Sequence, residues 1–342
     1  MSDFLLDATV RHAVFVQRYA SGQAREIKEP LFVLRDNVVE RLLSEPDNFD
    51  EVRMAQLMEA VGSYSDEFSE DFSKKMSVMI EDFSESETEF SYEMLAAVVI
   101  GAGFLMPDKG HIARTVARKE MSVLDGAGTI TAKDATTQFT KKKGREIIRT
   151  INDAILLGST TKEAAANVSE LISLRQAAQA ESLTKTTANF ISAAATDSVI
   201  TANSALFAGY QWVSILDSRT TLICAGRDGN IYPVGKGPLP PAHWGCRSRV
   251  LPLVKPEFEK DKARAGSSRP SPKDYGDWLK SQPASFQDEY FSKFPDGAKK
   301  AKLFRAGGLP IERFRDELGA EYTLEQLRNL NPVAFQRAGV AL

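Results

Sequence analysis

Along the first 107 residues, apolar side chains recur at three- and four-residue steps, the spacing that places them on one face of a helix. Phe4, Leu5, Val10, Val14 and Phe15 predict a helix over 1–24. Pro30, whose fixed φ suits a first turn, opens a second helix with Leu31, Val33, Leu34, Val38, Val39 and Leu42 on one face, and Pro46 ends it. Asn48 or Asp50 supplies a cap for a third helix running to about Val61. Over 64–90, Phe68, Phe72, Met76, Met79, Ile80 and Phe83 form a stripe, read as a helix packing face rather than a cofactor box. Ser91 is expected to cap a further helix carrying Met94 to Phe104, which Pro107 stops. The pattern predicts an all-helical N-terminal domain over 1–107.

Glycines then interrupt the periodicity, and 108–131 reads as a linker with a turn at Asp125 to Thr129. Helix resumes at Ala132 and breaks at Gly158. Thr160 is expected to cap Lys162 to Leu174, and a long Ala-rich helix should run from about Arg175 to Phe207 and end at Gly209. Residues 132–209 thus form a helical stalk. From 210 to 254 the period changes. Gln211 to Leu216 alternates as a strand, Leu222 to Ala225 is a second short element, Asp228-Gly229-Asn230 is a tight turn into Ile231-Tyr232-Pro233, and Arg249 to Val254 is a closing strand. Charge, Gly, Ser and Pro mark 255–274 as a flexible connector. The tail over 275–342 is helical in pieces: Tyr275–Gln282, Ala284–Phe291, Ala298–Ala306, Ile311–Leu318 and Leu324–Asn329. The predicted class is α+β, predominantly helical.

The length of 342 residues allows two or three such domains. With 43 Lys and Arg against 46 Asp and Glu, the chain has no global basic footprint for nucleic acid. The distribution changes that picture. Between Glu45 and Glu93 there are fifteen acids and three bases, and the sign reverses over Arg114–Arg149. Mutual repulsion should turn the acidic part toward solvent or a basic partner and away from DNA. The run Lys141-Lys142-Lys143 reads as a solvated helix face. The longest apolar run, Met94 to Met106, has thirteen residues, too few for a bilayer span of about twenty. Acids in MSDFLLDATV predict no signal peptide, and two cysteines predict folding in a reducing cytosol rather than a disulfide scaffold.

Candidate chemistry gathers in 210–254. Cys224, His243 and Cys246 have partial zinc-ligand character, with Asp217, Asp228 or water as a fourth donor, whereas a closed structural zinc site uses four Cys or His. The alternative is two small buried apolar residues beside a hydrogen-bonded histidine. Cys224, His243 and Asp217 could also be cast as nucleophile, base and orienter of a hydrolase or transferase, if they converge. Asp217 could instead pair with Arg219 or accept from amides of the turn it opens. No phosphate-cradling glycine loop is present, nor H-E-x-x-H or G-x-S-x-G.

Taken in order, Asp217, Arg219, Thr220, Cys224, Asp228, Gly229, Pro240, Pro241, His243, Cys246 and Arg247 form the string D-S-R-T, C, D-G, P-P-x-H-x-x-C-R. This string, with the Ala-rich helix before it and the tail after it, resembles the phage head-morphogenesis family, minor head proteins typified by protein F of bacteriophage Mu. The resemblance covers roughly Ala132 to Leu330. It implies a structural, non-catalytic virion component, in multiple copies, at the capsid interior or portal vertex. Its implied partners are portal and capsid proteins, with a role in head assembly and genome packaging or ejection. The basic stretch Arg114–Arg149 would lie nearer DNA, the acidic helices would face protein, and no membrane contact is expected. Many relatives carry C-x-x-C after D-x-R-T, but here the first position is Thr221. The implied ligand set becomes Thr221, Cys224, His243 and Cys246, which favours a knot held by hydrogen bonds and turns, with no obligatory cofactor and zinc as the one metal reading.

Overall fold

The computed structural model describes residues 3–47, 50–100, 103–123, 128–260, 274–316 and 319–341. It is predominantly helical, with small antiparallel sheets. Helix α1 (Asp3–Ile27) is followed by α2 (Glu29–Leu43), which carries Pro30 in its first turn as expected. Asp50 caps α3 (Glu51–Ala96) by accepting from the Arg53 amide at 2.8 Å, while the alternative cap Asn48 lies outside the described residues. At 46 residues α3 is about 69 Å long at 1.5 Å per residue. Neither the stop at Val61 nor the restart at Ser91 occurs. Leu57, Val61, Phe68, Phe72, Met76, Met79 and Phe83 stay buried on one continuous face. A Gly costs a helix about 1 kcal/mol against Ala, so packing along that face outweighs Gly62. Ser91 is buried inside the helix, its hydroxyl 3.0 Å from Thr196 Oγ1.

The expected linker contains helix α4 (Lys109–Arg118) and strands β1 (Glu120–Met121) and β2 (Ile130–Thr131), paired antiparallel. Residues 125–127 of the turn expected there lie outside the described residues. Thr131 caps α5 (Ala132–Leu156), and Thr160 closes a capping box on α6 (Thr161–Glu170). A π-helical segment, Leu171–Gln176, joins α6 to α7 (Ala177–Ala202). The Ala-rich helix therefore stops before Phe207, and Gly209 is not its terminator. It sits in strand β3 (Phe207–Val213) at φ 148°, where a Cβ would come within 2.0 Å of the Tyr232 carbonyl oxygen. Strands β4 (Ile231–Pro233) and β5 (Arg249–Val254) flank β3 on either side, both antiparallel. Between β3 and β4 the second short element is helix α8 (Leu222–Arg227).

The first residues of the expected connector are ordered against α3: the Ile100 amide donates to Phe258 O and the Lys260 amide to Val98 O. Residues 261–273 lie outside the described residues. The tail follows as α9 (Tyr275–Ser281), α10 (Ala284–Phe291), α11 (Gly297–Arg305), α12 (Leu324–Leu330) and α13 (Pro332–Ala338), with a 3-10 turn at Ile311–Phe314.

One cluster of buried side chains runs from Val16 through Phe83, Val123 and Ile147 to Ala194, so helices on both sides of 108–131 share a core. A second cluster joins Leu5 and Leu95 to Val199, Phe207, Tyr210 and Leu251, which seats the small sheet on the end of the bundle. A third joins Leu222 and Ala225 to Tyr275, Tyr290, Phe291 and Phe314, which seats the tail on the helix that follows β3. The acidic and basic stretches are neighbours rather than separate surfaces. Glu81 and Glu85 of α3 share one cleft of about 400 Å³ with Arg114 and Lys133. Lys143 is not solvated as its run suggests: it is buried, and its ammonium donates to Glu146 at 2.8 Å and to Gln179 at 2.5 Å. A charge whose hydrogen-bond needs are met inside can occupy a core position.

Candidate functional site: the knot between bundle and tail

Strand β3 delivers Trp212 to the centre of the motif, where its side chain is fully buried. Its indole Nε1 donates to Ser214 Oγ at 3.0 Å. The Ser214 hydroxyl donates to the Cys224 carbonyl at 2.9 Å and lies 3.2 Å from Ser248 Oγ, so one serine ties β3, α8 and the approach to β5 together. The Ser214 amide donates to Asp228 Oδ1 at 2.6 Å. Gly229 follows in a left-handed conformation at φ 84°, as the D-G turn requires. Its amide donates to Trp212 O, and the Trp212 amide donates to Asn230 O, both at 2.9 Å.

Asp217 opens the next turn and accepts the Arg219 amide at 3.0 Å. Its main ionic partner is Arg247, which donates from Nη1 and Nη2 to the two carboxylate oxygens, each at 2.7 Å. This fork-on-carboxylate geometry is the strong form of the pair. Arg219, the partner the D-S-R-T box suggests, is exposed, with Nε 3.6 Å from Asp217. Burial opposes ionisation of Asp217, but the hydrogen bonds and charge of Arg247, with Arg219 behind them, hold its carboxyl below the ordinary range. Thr220 Oγ1 donates to Ile215 O at 2.5 Å. The tail clamps the same turn: the Tyr275 hydroxyl donates to Asp217 O at 2.7 Å and Lys293 Nζ to Ser218 O at 2.6 Å.

Beyond β4, the Tyr210 hydroxyl donates to Pro238 O at 2.7 Å, and the Pro240-Pro241 bond is cis. This corner returns His243 and Cys246 to Cys224. Cys224 Sγ lies 3.6 Å from Cys246 Sγ and 3.3 Å from His243 Nε2. All three candidate ligand atoms fall within 4.8 Å of one another. His243 Nδ1 is 2.9 Å from the Trp244 carbonyl, which can only accept, so Nδ1 carries the proton and Nε2 turns its lone pair to the sulfurs. Burial pushes the Cys224 thiol up; Cys246, equally buried, is held down by the hydrogen bond it receives from Cys224.

The sequence-derived residues therefore form two adjoining groups. Asp217, Arg219, Thr220 and Arg247 make a locked turn, while Cys224, His243 and Cys246 make a sulfur-imidazole cluster. Asp228, Gly229, Pro240 and Pro241 shape the corners between them. Asp217 does not reach His243: its carboxylate faces Arg247, and the imidazole Nδ1 faces a backbone carbonyl. The arrangement imagined for a Cys-His-Asp relay is thus not made. Thr221 borders the cluster, with its buried hydroxyl toward the Cys224 sulfur.

Four functional neighbours escaped the motif. The buried Arg249 guanidinium donates to Asn189 Oδ1 of α7 at 3.0 Å, and Asn189 Nδ2 donates to Ser248 O at 3.2 Å. Burial lowers Arg249 to about 10, against the opposing charge of Glu87. Glu87 in turn meets His12 Nε2 at 2.8 Å. A lone Asn inside the apolar stretch of α7 and a rare histidine in α1 were the only signals available. This network fixes the knot to three helices of the bundle.

Compared with known proteins, residues 145–251 match the family model described as phage Mu protein F like protein. The match begins within α5 and ends in β5, taking in every residue of the ordered string. Neither curated proteins nor solved structures gave a match to the chain. Over 145–251, which holds α7, the locked turn and the sulfur-imidazole cluster, the chain is similar to the phage Mu protein F like family.

Proposed function

We propose that this chain is a structural minor head protein of a phage, a virion component that assembles with portal and capsid proteins and acts in head morphogenesis and in genome packaging or ejection. The phage-head assignment rests on the Mu protein F like domain. The observation that carries the structural reading is that its motif residues hold the chain together. Asp217 and Arg247 lock a turn, Tyr275 and Lys293 bind it to the tail, and Asn189 and Arg249 bind it to the bundle. A non-catalytic role fits the commitment of the Asp217 carboxylate to Arg247. Among the described residues no helix is long and apolar enough to cross a membrane. Contact with packaged DNA would use the exposed Lys141, Lys142, Arg145 and Arg149 of α5.

The test is co-expression of the full chain with portal and capsid protein, followed by purification of assembled heads. The chain is expected in the heads in several copies, located by imaging. Assembly at normal yield with the chain left wholly in the soluble fraction would overturn the reading. Cys224→Ala and His243→Ala separate it from the hydrolase or transferase reading. Loss of incorporation should track loss of folding, whereas an enzyme would stay folded and incorporated and lose turnover.

Convergence of Cys224, His243 and Cys246 supports a second, compatible reading, a zinc-stabilised interaction module. The donor set fits zinc in kind, two thiolates and an imidazole oriented through its other nitrogen, with water completing four. Bound there, zinc would cross-link α8 to the loop before β5. Metal analysis of the purified chain decides it. About one equivalent is expected, and less than roughly half an equivalent removes the reading.

A further inference from the structure

On the side of α8 away from the sulfur cluster lies a cavity of about 520 Å³, within the range of small-ligand sites. Its walls are α8 and the turn after it, the 3-10 segment before Asp316, and the end of α12. Its lining is polar, including Asp228, Asn230, Asp274, Arg315, Asp316 and Asn331. The three aspartates are already engaged by backbone amides. Asp228 accepts from Ser214, Asp274 from Asp277, and Asp316 Oδ1 from both Gly319 and Ala320.

The arginines are not so served. Arg315 donates from Nη1 to the Asp316 carbonyl at 2.8 Å, but its Nε is buried with no partner among the described residues. It lies over Gly226 so closely that a Cβ there would be 2.8 Å from Nε. The next residue, Arg227, is 8% exposed, has its guanidinium 5.3 Å from the Trp212 ring centre, and leaves Nη1 buried with no partner among the described residues. Burial lowers the Arg315 guanidinium, and the charge of Arg227 adds to the effect. Arg315 lines the cavity, and a buried donor left over on its guanidinium calls for an acceptor.

We propose that the cavity between α8 and the Ile311–Asp316 segment is a binding site for a carboxylate, held by Arg315 with Arg227 behind it. A planar, singly charged group matches the guanidinium fork. The surrounding aspartates and Glu312 disfavour a dianion such as phosphate, and a nucleic-acid backbone more so. The carboxylate can belong to a free small acid or to the acidic side chain or terminus of a peptide. The proposal does not depend on the head-protein reading.

Thermal unfolding of the full chain against propionate, at fixed pH and with ionic strength balanced by chloride, tests it. A short peptide with an acidic C-terminus is titrated in parallel, and inorganic phosphate serves as the competing anion. A saturable rise in Tm with propionate marks a free-acid site, and a rise with the peptide alone marks a peptide site; either supports the proposal. Arg315→Gln should weaken the apparent Kd about tenfold or more, while Arg149→Gln, at an exposed residue of α5 outside the lining, should leave it unchanged. If Arg315→Gln does not fold, Arg315→Lys is read instead, and weaker binding is expected because the fork is lost. No saturable response to either carboxylate, tighter binding of phosphate, or wild-type affinity in the Arg315 variant would overturn the proposal.

Discussion

The helical bundle and the knot at its end are stabilised in different ways. In the bundle, burial is spread along long faces: α3 alone places Leu57, Val61, Phe68, Phe72, Met76, Met79 and Phe83 in one core. No single contact there is irreplaceable, since apolar attraction is non-directional and scales with area. The knot has few residues and little apolar area of its own. Its shape depends on directed contacts, each with a particular donor and acceptor: Asp217 with Arg247, Ser214 with Asp228 and Cys224, and Asn189 with Arg249. Diffuse packing tolerates change of identity at constant volume, and directed contacts do not.

The sharpest way to break the comparison is at Trp212, the one large apolar anchor of the knot. Trp212→Ala should cost about 3–5 kcal/mol, read by denaturant unfolding, through lost volume and the loss of its bond to Ser214. Asp217→Asn comes next. It keeps the shape of the side chain, yet should cost about 1.5–3 kcal/mol because a charged bidentate pair is replaced by a neutral one. A loss of only a few tenths would mean the turn is held by the tail instead. The bundle supplies the contrast. Met79→Leu, at a buried position of the same α3 face, should cost less than about 1.5 kcal/mol.

A pH series sharpens the same point. The folded carboxyl of Asp217 titrates below its unfolded value, which lies near 3.9. Its contribution is therefore fully present above that pH and is lost as pH falls through the lower folded value. Wild-type stability should decline more steeply than that of Asp217→Asn in acid titrations below about pH 4. Parallel curves would remove the pair from the account. The smallest effect belongs to the far tip of the bundle. Leu156 and Leu157 are 85% and 84% exposed, and Leu156→Ser should change the stability of the isolated chain by no more than about 0.5 kcal/mol.

The two regions were also legible to different degrees. Periodicity located the bundle faces well, because a helix that buries one side must repeat its apolar residues every three to four positions. It misjudged ends. An end near Val61 and a restart at Ser91 were expected, but continuous packing on α3 carried the helix through both. Gly209 looked like a helix stop and is a strand residue pressed against Tyr232. In the knot the ordered string identified the residues, while partner choice was not readable. Arg219 is nearer to Asp217 in sequence, yet Arg247, thirty residues on, takes the carboxylate because the Pro-Pro corner and β5 bring it there.

By itself the sequence determined the helical class, the core stripe of α3, the change of period at 210–254 and the resemblance of that segment to the phage Mu protein F like family. These are local properties, set by side-chain spacing and by the order of residues along the chain. Only the tertiary structure decided that the acidic and basic stretches share one bundle, that Cys224, His243 and Cys246 meet while Asp217 turns away, and that Arg315 lines a polar cavity. Those facts depend on which distant segments come within hydrogen-bond range, and that is set by how the helices and the small sheet pack.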